Sequence, residues 1–122
     1  MMYAYIDGDD IGLKIENSFM NNDEVTLKVI NDKVKGYVEE ITNYLIDNDY
    51  KIIFSGADGI ICKSERIEIN EILRFIRRDN KFITFSIGAG ECLRDSYLAL
   101  RYAKSNGKNI AAIYNNGFTL LK

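Results

Sequence analysis

The sequence predicts an α+β domain with a ferredoxin-like βαββαβ sheet, extended at its C-terminal end by one more helix and strand. Short β-prone runs alternate with segments in which apolar residues recur three or four positions apart. Their order is strand, two helices, strand, strand, helix, strand, helix, strand. The chain has 122 residues, 47% of them hydrophobic, which suits one domain with its own core. We therefore expect residues 1–122 to form a single domain.

The N-terminal half begins with a strand and two helices. Met2–Ile6 is dense in apolar and aromatic side chains and stops at Asp7-Gly8-Asp9-Asp10, which is typical of a strand followed by a turn. A short amphipathic helix is predicted over Ile11–Phe19. Polar residues 21–23 then supply N-cap chemistry for a long helix that starts near Glu24. Its apolar residues keep helical spacing: Val25, Ile30, Val34, Tyr37, Val38, Ile41, Tyr44 and Leu45.

The C-terminal half begins with a predicted hairpin. Lys51–Phe54 and Ile60–Cys62 are β-prone runs, and the small residues 55–59 between them favour a tight tip. The remaining predicted elements are a helix over Glu68–Arg78, a strand over Phe82–Ala89 interrupted by Gly88 and Gly90, a helix over Arg94–Asn106 and a closing strand over Ile110–Tyr114.

Composition narrows the classes of function. With 18 acidic and 16 basic residues there is no basic excess for binding long nucleic acid, so we expect a small nucleotide partner, if any. The absence of histidine excludes imidazole-dependent triads and most catalytic zinc sites. No apolar run is long enough for a membrane span and no targeting peptide is evident, while Cys62 and Cys92 lack paired spacing. We expect a soluble cytoplasmic protein in which these cysteines have no chemical role.

The predicted topology brings two carboxylates together. In a βαββαβ sheet the third strand lies between the first and second and runs antiparallel to both, so the hairpin tip sits beside the end of the first strand. Asp7 and Asp58 should therefore be neighbours. Two converging carboxylates repel each other unless a cation lies between them, and ligands that are all oxygen favour Mg²⁺ or Mn²⁺. Asp9 or Asp10 is a further candidate ligand.

Small residues around this acid pair leave backbone amides open to phosphate oxygens, as at Gly8, Gly12 and the hairpin tip. Taken alone, an acidic turn after a strand is more often a helix cap than a metal site, and the predicted convergence is what favours the metal. Arg101, Lys104 and Lys108 either grip a triphosphate or complement the dipole at the C-terminal end of the helix. The tyrosines at positions 3, 5, 97 and 102 more often build a core than stack on a base.

Four segments resemble one known family. Tyr5–Gly12 (YIDGDDIG) and Phe54–Ile61 (FSGADGII) resemble the palm of CRISPR-associated cyclic-oligoadenylate polymerases, above all its minimal stand-alone form, mCpol. The plan is also similar to that of GGDEF diguanylate cyclases, with residues 56–60 on the motif that names them. Phe85–Gly90 resembles their TxSIG strand, and Ala99–Asn109 resembles their ALYxAKxxGRN helix end.

The resemblance implies a palm fold and a nucleotidyltransferase that attacks an α-phosphate with a ribose hydroxyl, aided by two Mg²⁺ ions (or Mn²⁺). It implies metal binding by Asp7, Asp58 and the Gly8 backbone, with the two aspartates catalytic. The nucleotide would be held by Gly8, Asp10, Ile11, Gly12, Gly56, Ala57, Lys104 and Lys108. It further implies ATP as the favoured substrate, a cyclic di- or oligonucleotide product in antiviral signalling, a homodimer, and a separately encoded effector.

Three departures from the diguanylate cyclase pattern bear on these implications. Gly59 replaces their second acid, for which Asp9 or Asp10 is a candidate substitute, and Ala57 replaces their second glycine. Ile15 stands where they carry the asparagine that reads guanine, which favours adenine. Two alternatives remain open: a degenerate palm that senses a nucleotide or cyclic dinucleotide without turning it over, and a ferredoxin-like interaction domain in which the aspartates only cap turns.

Overall fold

The computed structural model describes residues 1–79 and 82–122, which form one mixed sheet with helices on both faces. The elements are β1 (Met2–Gly8), α1 (Ile11–Met20), α2 (Glu24–Asp47), β2 (Lys51–Gly56), β3 (Gly59–Ser64), α3 (Ile69–Arg77), β4 (Phe85–Gly90), α4 (Leu93–Ser105), β5 (Ala111–Tyr114) and β6 (Phe118–Leu121). Within the described residues, no helix is both long and apolar enough to cross a bilayer.

The sheet confirms the predicted α+β class and βαββαβ arrangement. Its strand order is β2-β3-β1-β4-β5-β6. As predicted, β3 lies between β2 and β1 and runs antiparallel to both. β1 is also antiparallel to β4, and α4 connects β4 to the parallel strand β5. The hairpin tip between β2 and β3 therefore lies beside the C-terminal end of β1.

The two faces of β1 have different roles because alternate side chains point to opposite sides of a strand. Ala4 and Ile6 are fully buried, in a core that includes Ile41 and Leu45 of α2 and Ile72 of α3. The intervening residues, Tyr3, Tyr5 and Asp7, face the other side, where α4 packs. Asp7 is thus on the α4 face of the sheet, at the end of a strand whose other face is anchored in the core.

α4 lies unusually close to β4. A Cβ at Gly88 would overlap the backbone nitrogen of Leu100 and the carbonyl oxygen of Ser96, and one at Gly90 would lie 2.6 Å from Cβ of Asp95. The prediction that these glycines interrupt the strand was wrong, because both lie within β4 and provide the space for α4. β4 also begins at Phe85 rather than Phe82.

A sixth strand was not predicted. β6 pairs antiparallel with β5 across a turn in which Asn116 and Gly117 have φ values of 57° and 151°. The ring of Phe118 stacks on Tyr102 of α4, with centroids 4.4 Å apart. The Asn116-Gly117 pair between two β-prone runs is a hairpin signal that the sequence already contained.

Candidate metal and nucleotide site

Asp7 and Asp58 meet at one edge of the sheet. Asp7 lies opposite Gly59 in the β1–β3 ladder, and the amide of Gly8 donates to the carbonyl oxygen of Asp58 over 2.9 Å. A Cβ at position 59 would lie only 2.9 Å from Oδ1 of Asp7. Gly59 therefore leaves room for the Asp7 carboxylate, which gives a steric reason for glycine where the diguanylate cyclases have an acid.

The Asp7 carboxylate lies in a partly buried, charged setting. Burial raises its pKa above the ordinary value of 3.8, and the nearby Asp58 and Asp9 carboxylates raise it further. The ammonium of Lys104 opposes this rise from 3.1 Å. Burial and the neighbouring carboxylates both disfavour the negative charge of Asp7, so a cation bound beside it would stabilise that charge.

The Lys104 ammonium shows that a cation fits at this edge. Its Nζ donates to the Gly8 carbonyl oxygen over 2.8 Å and lies 3.1 Å from Asp7 Oδ2 and 3.2 Å from Asp9 Oδ1. The Asp7 and Asp58 carboxylates and the Gly8 carbonyl are hard oxygen ligands of the kind that Mg²⁺ prefers. Among the described residues, no three acidic or sulfur side chains cluster around a possible metal, so water and substrate phosphates would supply its other ligands.

Asp9 is occupied by structural contacts instead. It is 3% exposed, and its carboxylate accepts hydrogen bonds from the hydroxyls of Thr84 and Ser86, each over 2.7 Å, and from the amide of Asn109 over 2.9 Å. These bonds tie the end of β1 to β4 and to the loop after α4. The hypothesis that Asp9 replaces the missing acid is not supported by this geometry.

Asp10 is also paired. Its side chain forms an ion pair with Lys108, and that hydrogen bond lowers the pKa of Asp10. Asp10 has a left-handed backbone conformation, with φ of 59°, and precedes α1 without capping it through its side chain. Its carboxylate therefore faces the basic end of α4, and this geometry does not favour Asp10 as the substitute acid.

Asp9→Asn is expected to lower the free energy of unfolding by about 2–4 kcal/mol, because an amide cannot accept all of these hydrogen bonds and leaves Lys104 with one fewer anionic partner. Urea unfolding of the variant measures the loss. Asp47→Asn, at an exposed site near the end of α2, is the matched control and should change stability by less than about 0.5 kcal/mol. Equal midpoints for the two variants would contradict the structural role of Asp9.

Asp7→Asn provides a pH test of the burial at Asp7. The folded protein holds the Asp7 proton to higher pH than the unfolded chain, since the folded pKa is raised above 3.8. Below pH 3.8 the Asp7 carboxyl is protonated in both the folded and the unfolded state. As the pH rises through the folded pKa, ionisation of Asp7 lowers the free energy of unfolding of the wild type. The variant has no such group and keeps its stability. The stability of Asp7→Asn relative to wild type should thus increase between about pH 3 and about pH 7 in urea unfolding. A decrease over that range would contradict the raised pKa.

The start of α1 provides free backbone donors beside the acid pair. The first hydrogen bond of this helix runs from the Lys14 amide to the Asp10 carbonyl oxygen, 3.0 Å, so the amides of residues 11–13 precede the helical ladder. The first turn contains no acidic residue, and no atom lies within 4 Å of a Cβ built on Gly12. Both features leave this helix terminus open to an anion.

A groove of about 800 Å³ runs from this helix start between α1, α2 and the hairpin tip. Its walls include Ile11, Ile15, Leu27, Ile30 and Val34, its polar lining comprises Glu24, Lys28, Asn31 and Lys35, and Gly12, Ala57 and Asp58 complete it. Gly56 lies apart, in a smaller recess of about 280 Å³ between α2 and β2 that shares Lys35 and Ala57. An apolar slot with few polar groups is the usual form of a small-molecule site.

The polar lining was missed from sequence. Asn31 and Lys35 lie four residues apart on α2, so they share one side of the helix with the groove wall. Polar residues at that spacing usually mark a solvated face. Only the position of α1 and the hairpin tip shows that this face borders a groove.

Comparisons with known proteins identify the family and the fold. The sequence profile of the minimal CRISPR polymerase domain (mCpol) matches residues 3–114. No curated protein sequence matches significantly.

Three solved structures are similar in fold. The active GGEEF domain of a diguanylate cyclase from Vibrio cholerae has 19% identity and a TM-score of 0.69 over 95% of this chain and 83% of that one. A diguanylate cyclase/phosphodiesterase from Caldicellulosiruptor saccharolyticus has 22% identity and a TM-score of 0.59, over 97% and 78% of the two chains. The GGDEF domain of DgcB from Caulobacter crescentus, in complex with c-di-GMP, has 14% identity and a TM-score of 0.63, over 88% and 74%.

At these identities the structural matches establish the GGDEF-type palm fold alone. The profile match spans nearly the whole sequence and includes Asp7, Asp58, Lys104 and Lys108. This chain therefore belongs to the family of minimal CRISPR polymerase domains.

Proposed function

We propose that this protein is a metal-dependent nucleotidyltransferase that converts nucleoside triphosphates, ATP foremost, into a cyclic di- or oligonucleotide with release of pyrophosphate. Membership in the minimal CRISPR polymerase family and the GGDEF-type palm fold support a nucleotide cyclase or polymerase type of function. The observation that carries the proposal is the meeting of Asp7 and Asp58 at one sheet edge, next to an open helix N-terminus and two lysines.

One nucleotide would bind with its base in the groove and its triphosphate at the sheet edge. The base would enter the apolar slot between α1 and α2, and the triphosphate would lie across the amides of Ile11 and Gly12 and the Ala57 tip. Lys104 and Lys108, which contact Gly8 and Asp10 beside the end of β1, would neutralise the outer phosphates. The nucleotide would displace part of their present pairing with Asp7 and Asp10.

The lining of the groove bears on the choice of base. The side-chain amide of Asn31 offers one acceptor and two donors, so it can pair with the edge of either adenine or guanine. Ile15 gives the wall an apolar surface where the diguanylate cyclases carry the asparagine that reads guanine. Ile15 is therefore the residue that supports ATP as the substrate.

The residues also suit the transfer chemistry. Asp7, Asp58 and the Gly8 carbonyl would hold Mg²⁺ or Mn²⁺, which supplies charge neutralisation at the α-phosphate and acidifies the attacking ribose hydroxyl. The ribose oxygen forms a new bond to the α-phosphorus, the bond to the β-phosphate oxygen breaks, and the hydroxyl proton passes to water. Lys104 and the amides at the start of α1 would stabilise the negative charge that accumulates on the departing pyrophosphate.

A cyclic dinucleotide needs two such transfers between nucleotides that face each other, and a larger ring needs one transfer for each nucleotide. We propose that two copies of the chain come together for this purpose, and that a separately encoded effector reads the product in antiviral signalling. The role in antiviral signalling is supported by the match to the minimal CRISPR polymerase family.

The test is incubation of the purified protein with each nucleoside triphosphate and Mg²⁺ or Mn²⁺, followed by chromatography and mass spectrometry. A cyclic adenylate with a matching amount of pyrophosphate is the expected result. Nucleotide binding without consumption would indicate that the protein is a nucleotide sensor with a palm fold and not an enzyme. Absence of binding would leave an interaction domain in which the aspartates serve the fold.

A further inference from the structure

The Lys104 ammonium contacts the same oxygens that are proposed to bind the metal. An ammonium group has three hydrogen-bond donors, and three oxygens surround this one: the Gly8 carbonyl at 2.8 Å, Asp7 Oδ2 at 3.1 Å and Asp9 Oδ1 at 3.2 Å. The oxygens of Gly8 and Asp7 are two of the proposed metal ligands. Lys104 and a divalent cation would therefore compete for them.

The charges make this competition stronger. A divalent cation bound to Gly8 and Asp7 would stand next to the Lys104 ammonium, and two positive charges at such short range repel each other. The side chains of Lys104 and Asp7 are 24% and 21% exposed, so solvent screens this repulsion only in part. Binding of the metal therefore requires the ammonium to leave Asp7.

α4 fixes the backbone of Lys104 but not the end of its side chain. A Cβ at Gly88 would overlap backbone atoms of α4, so this helix packs tightly on β4 and has little room to shift. Beyond its Cα, lysine is a flexible four-carbon stem that ends in a compact charge. The ammonium can thus leave Asp7 by rotation of the side chain while α4 stays in place.

Asp9 provides a lasting partner for an ammonium that has left Asp7. Its carboxylate is held by the hydroxyls of Thr84 and Ser86 and by the Asn109 amide, so its position does not depend on Lys104. The outer oxygens of a triphosphate are anionic and would supply further partners in place of Asp7. Lys104 would then bind between Asp9 and the phosphates.

From these contacts we propose that the Lys104 ammonium occupies the metal position before a nucleoside triphosphate binds, and must move to the phosphates for the metal to enter. The inference rests on the proposed function, because it concerns the same metal and the same triphosphate. It adds an order of events: the metal alone binds weakly, and the triphosphate prepares its site. By thermodynamic linkage, each of the two ligands then strengthens the binding of the other.

Binding of Mn²⁺ alone tests this proposal without turnover. Mn²⁺ is titrated into the protein without nucleotide, and electron paramagnetic resonance measures the free ion. Lys104→Met removes the ammonium, and Lys104→Gln also removes the charge but keeps a donor for the Gly8 carbonyl, which favours folding. If Lys104 occupies the position in about 90–99% of wild-type molecules, both variants should bind Mn²⁺ roughly 10- to 100-fold more tightly than wild type. Mn²⁺ should also raise their melting temperatures more than that of wild type.

Arg101→Met is the matched control, because it removes the same charge from the preceding turn of the same helix. Arg101 is exposed, and its guanidinium donates to the Tyr97 hydroxyl over 3.4 Å. Loss of this more distant, solvent-screened charge should change the affinity for Mn²⁺ by less than about threefold.

Mn²⁺ affinities of the two Lys104 variants that equal that of Arg101→Met, or fall below it, would overturn the inference. Absence of Mn²⁺ binding in all of these proteins would overturn it as well, because removal of the ammonium would then expose no metal site. In either case, pyrophosphate release by wild type with Mn²⁺ and ATP would still uphold the proposed function. The failure of the inference and the failure of the proposed function are thus separate results.

Discussion

Asp58→Asn is expected to reduce pyrophosphate release by about a hundred- to a thousandfold or more while the protein remains folded. The substitution keeps the size of the side chain but leaves one neutral oxygen in place of a carboxylate. The main-chain bond from Gly8 to the Asp58 carbonyl oxygen, 2.9 Å, does not depend on the side chain. The loss should therefore fall on metal and triphosphate binding rather than on the hairpin.

The measurement is the initial rate of pyrophosphate release, with thermal unfolding recorded on the same samples. Asp47→Asn is the control for a neutralised aspartate far from the site, and it should release pyrophosphate at the wild-type rate. Wild-type activity in a double variant, Asp7→Asn with Asp58→Asn, would contradict the assignment of the metal to this edge of the sheet. Low activity with a lowered melting temperature in Asp58→Asn would instead assign Asp58 a structural role.

The meeting of Asp7 and Asp58 was predictable because it depends on topology. Hydrophobic periodicity identified the strands and helices, and the βαββαβ order then placed β3 between β1 and β2. This strand order alone places the hairpin tip beside the end of β1, without any knowledge of side-chain positions. The structure agrees, because Asp7 pairs with Gly59, the residue that follows Asp58. Fold class and acid pair were therefore accessible from a single sequence.

The role of Asp9 was not predictable in the same way. It depends on hydroxyls of Thr84 and Ser86 and on an amide of Asn109, residues that lie 75 to 100 positions away along the chain. The local sequence shows three aspartates in one turn and does not indicate which of them has a structural role. In the structure, Asp9 is distinguished by its burial. Asp7 and Asp10 are more exposed and form ion pairs with Lys104 and Lys108.

The groove was hidden for a related reason. It is lined by residues whose local pattern already has an ordinary explanation, such as Asn31 on the polar side of α2. Its shape becomes apparent only when α1 and the hairpin tip are placed beside α2. Placement of this kind is decided by close packing, which single residues such as Gly88 can set.

Gly88→Ala is expected to cause the largest loss of stability, about 3–5 kcal/mol, with a fall in melting temperature of about 10–20 °C. The new methyl group would overlap the Leu100 nitrogen and the Ser96 carbonyl oxygen and would lie 2.6 Å from the Leu100 Cα. These are backbone atoms of α4, so no side-chain rotation can relieve the overlap. α4 must move away from β4, and it carries Lys104 with it.

Gly36→Ala is the matched control, because Gly36 lies inside α2 and a Cβ there meets no atom within 4 Å. The same substitution should stabilise the protein by about 0.5–1 kcal/mol, since alanine favours a helix and loses less backbone entropy on folding. Thermal and urea unfolding of both variants measure the contrast. Because displacement of α4 withdraws Lys104 from Asp7, Gly88→Ala protein that still folds at low temperature should also lose activity. Equal melting temperatures for the two variants would show that α4 does not rest on β4 through this glycine.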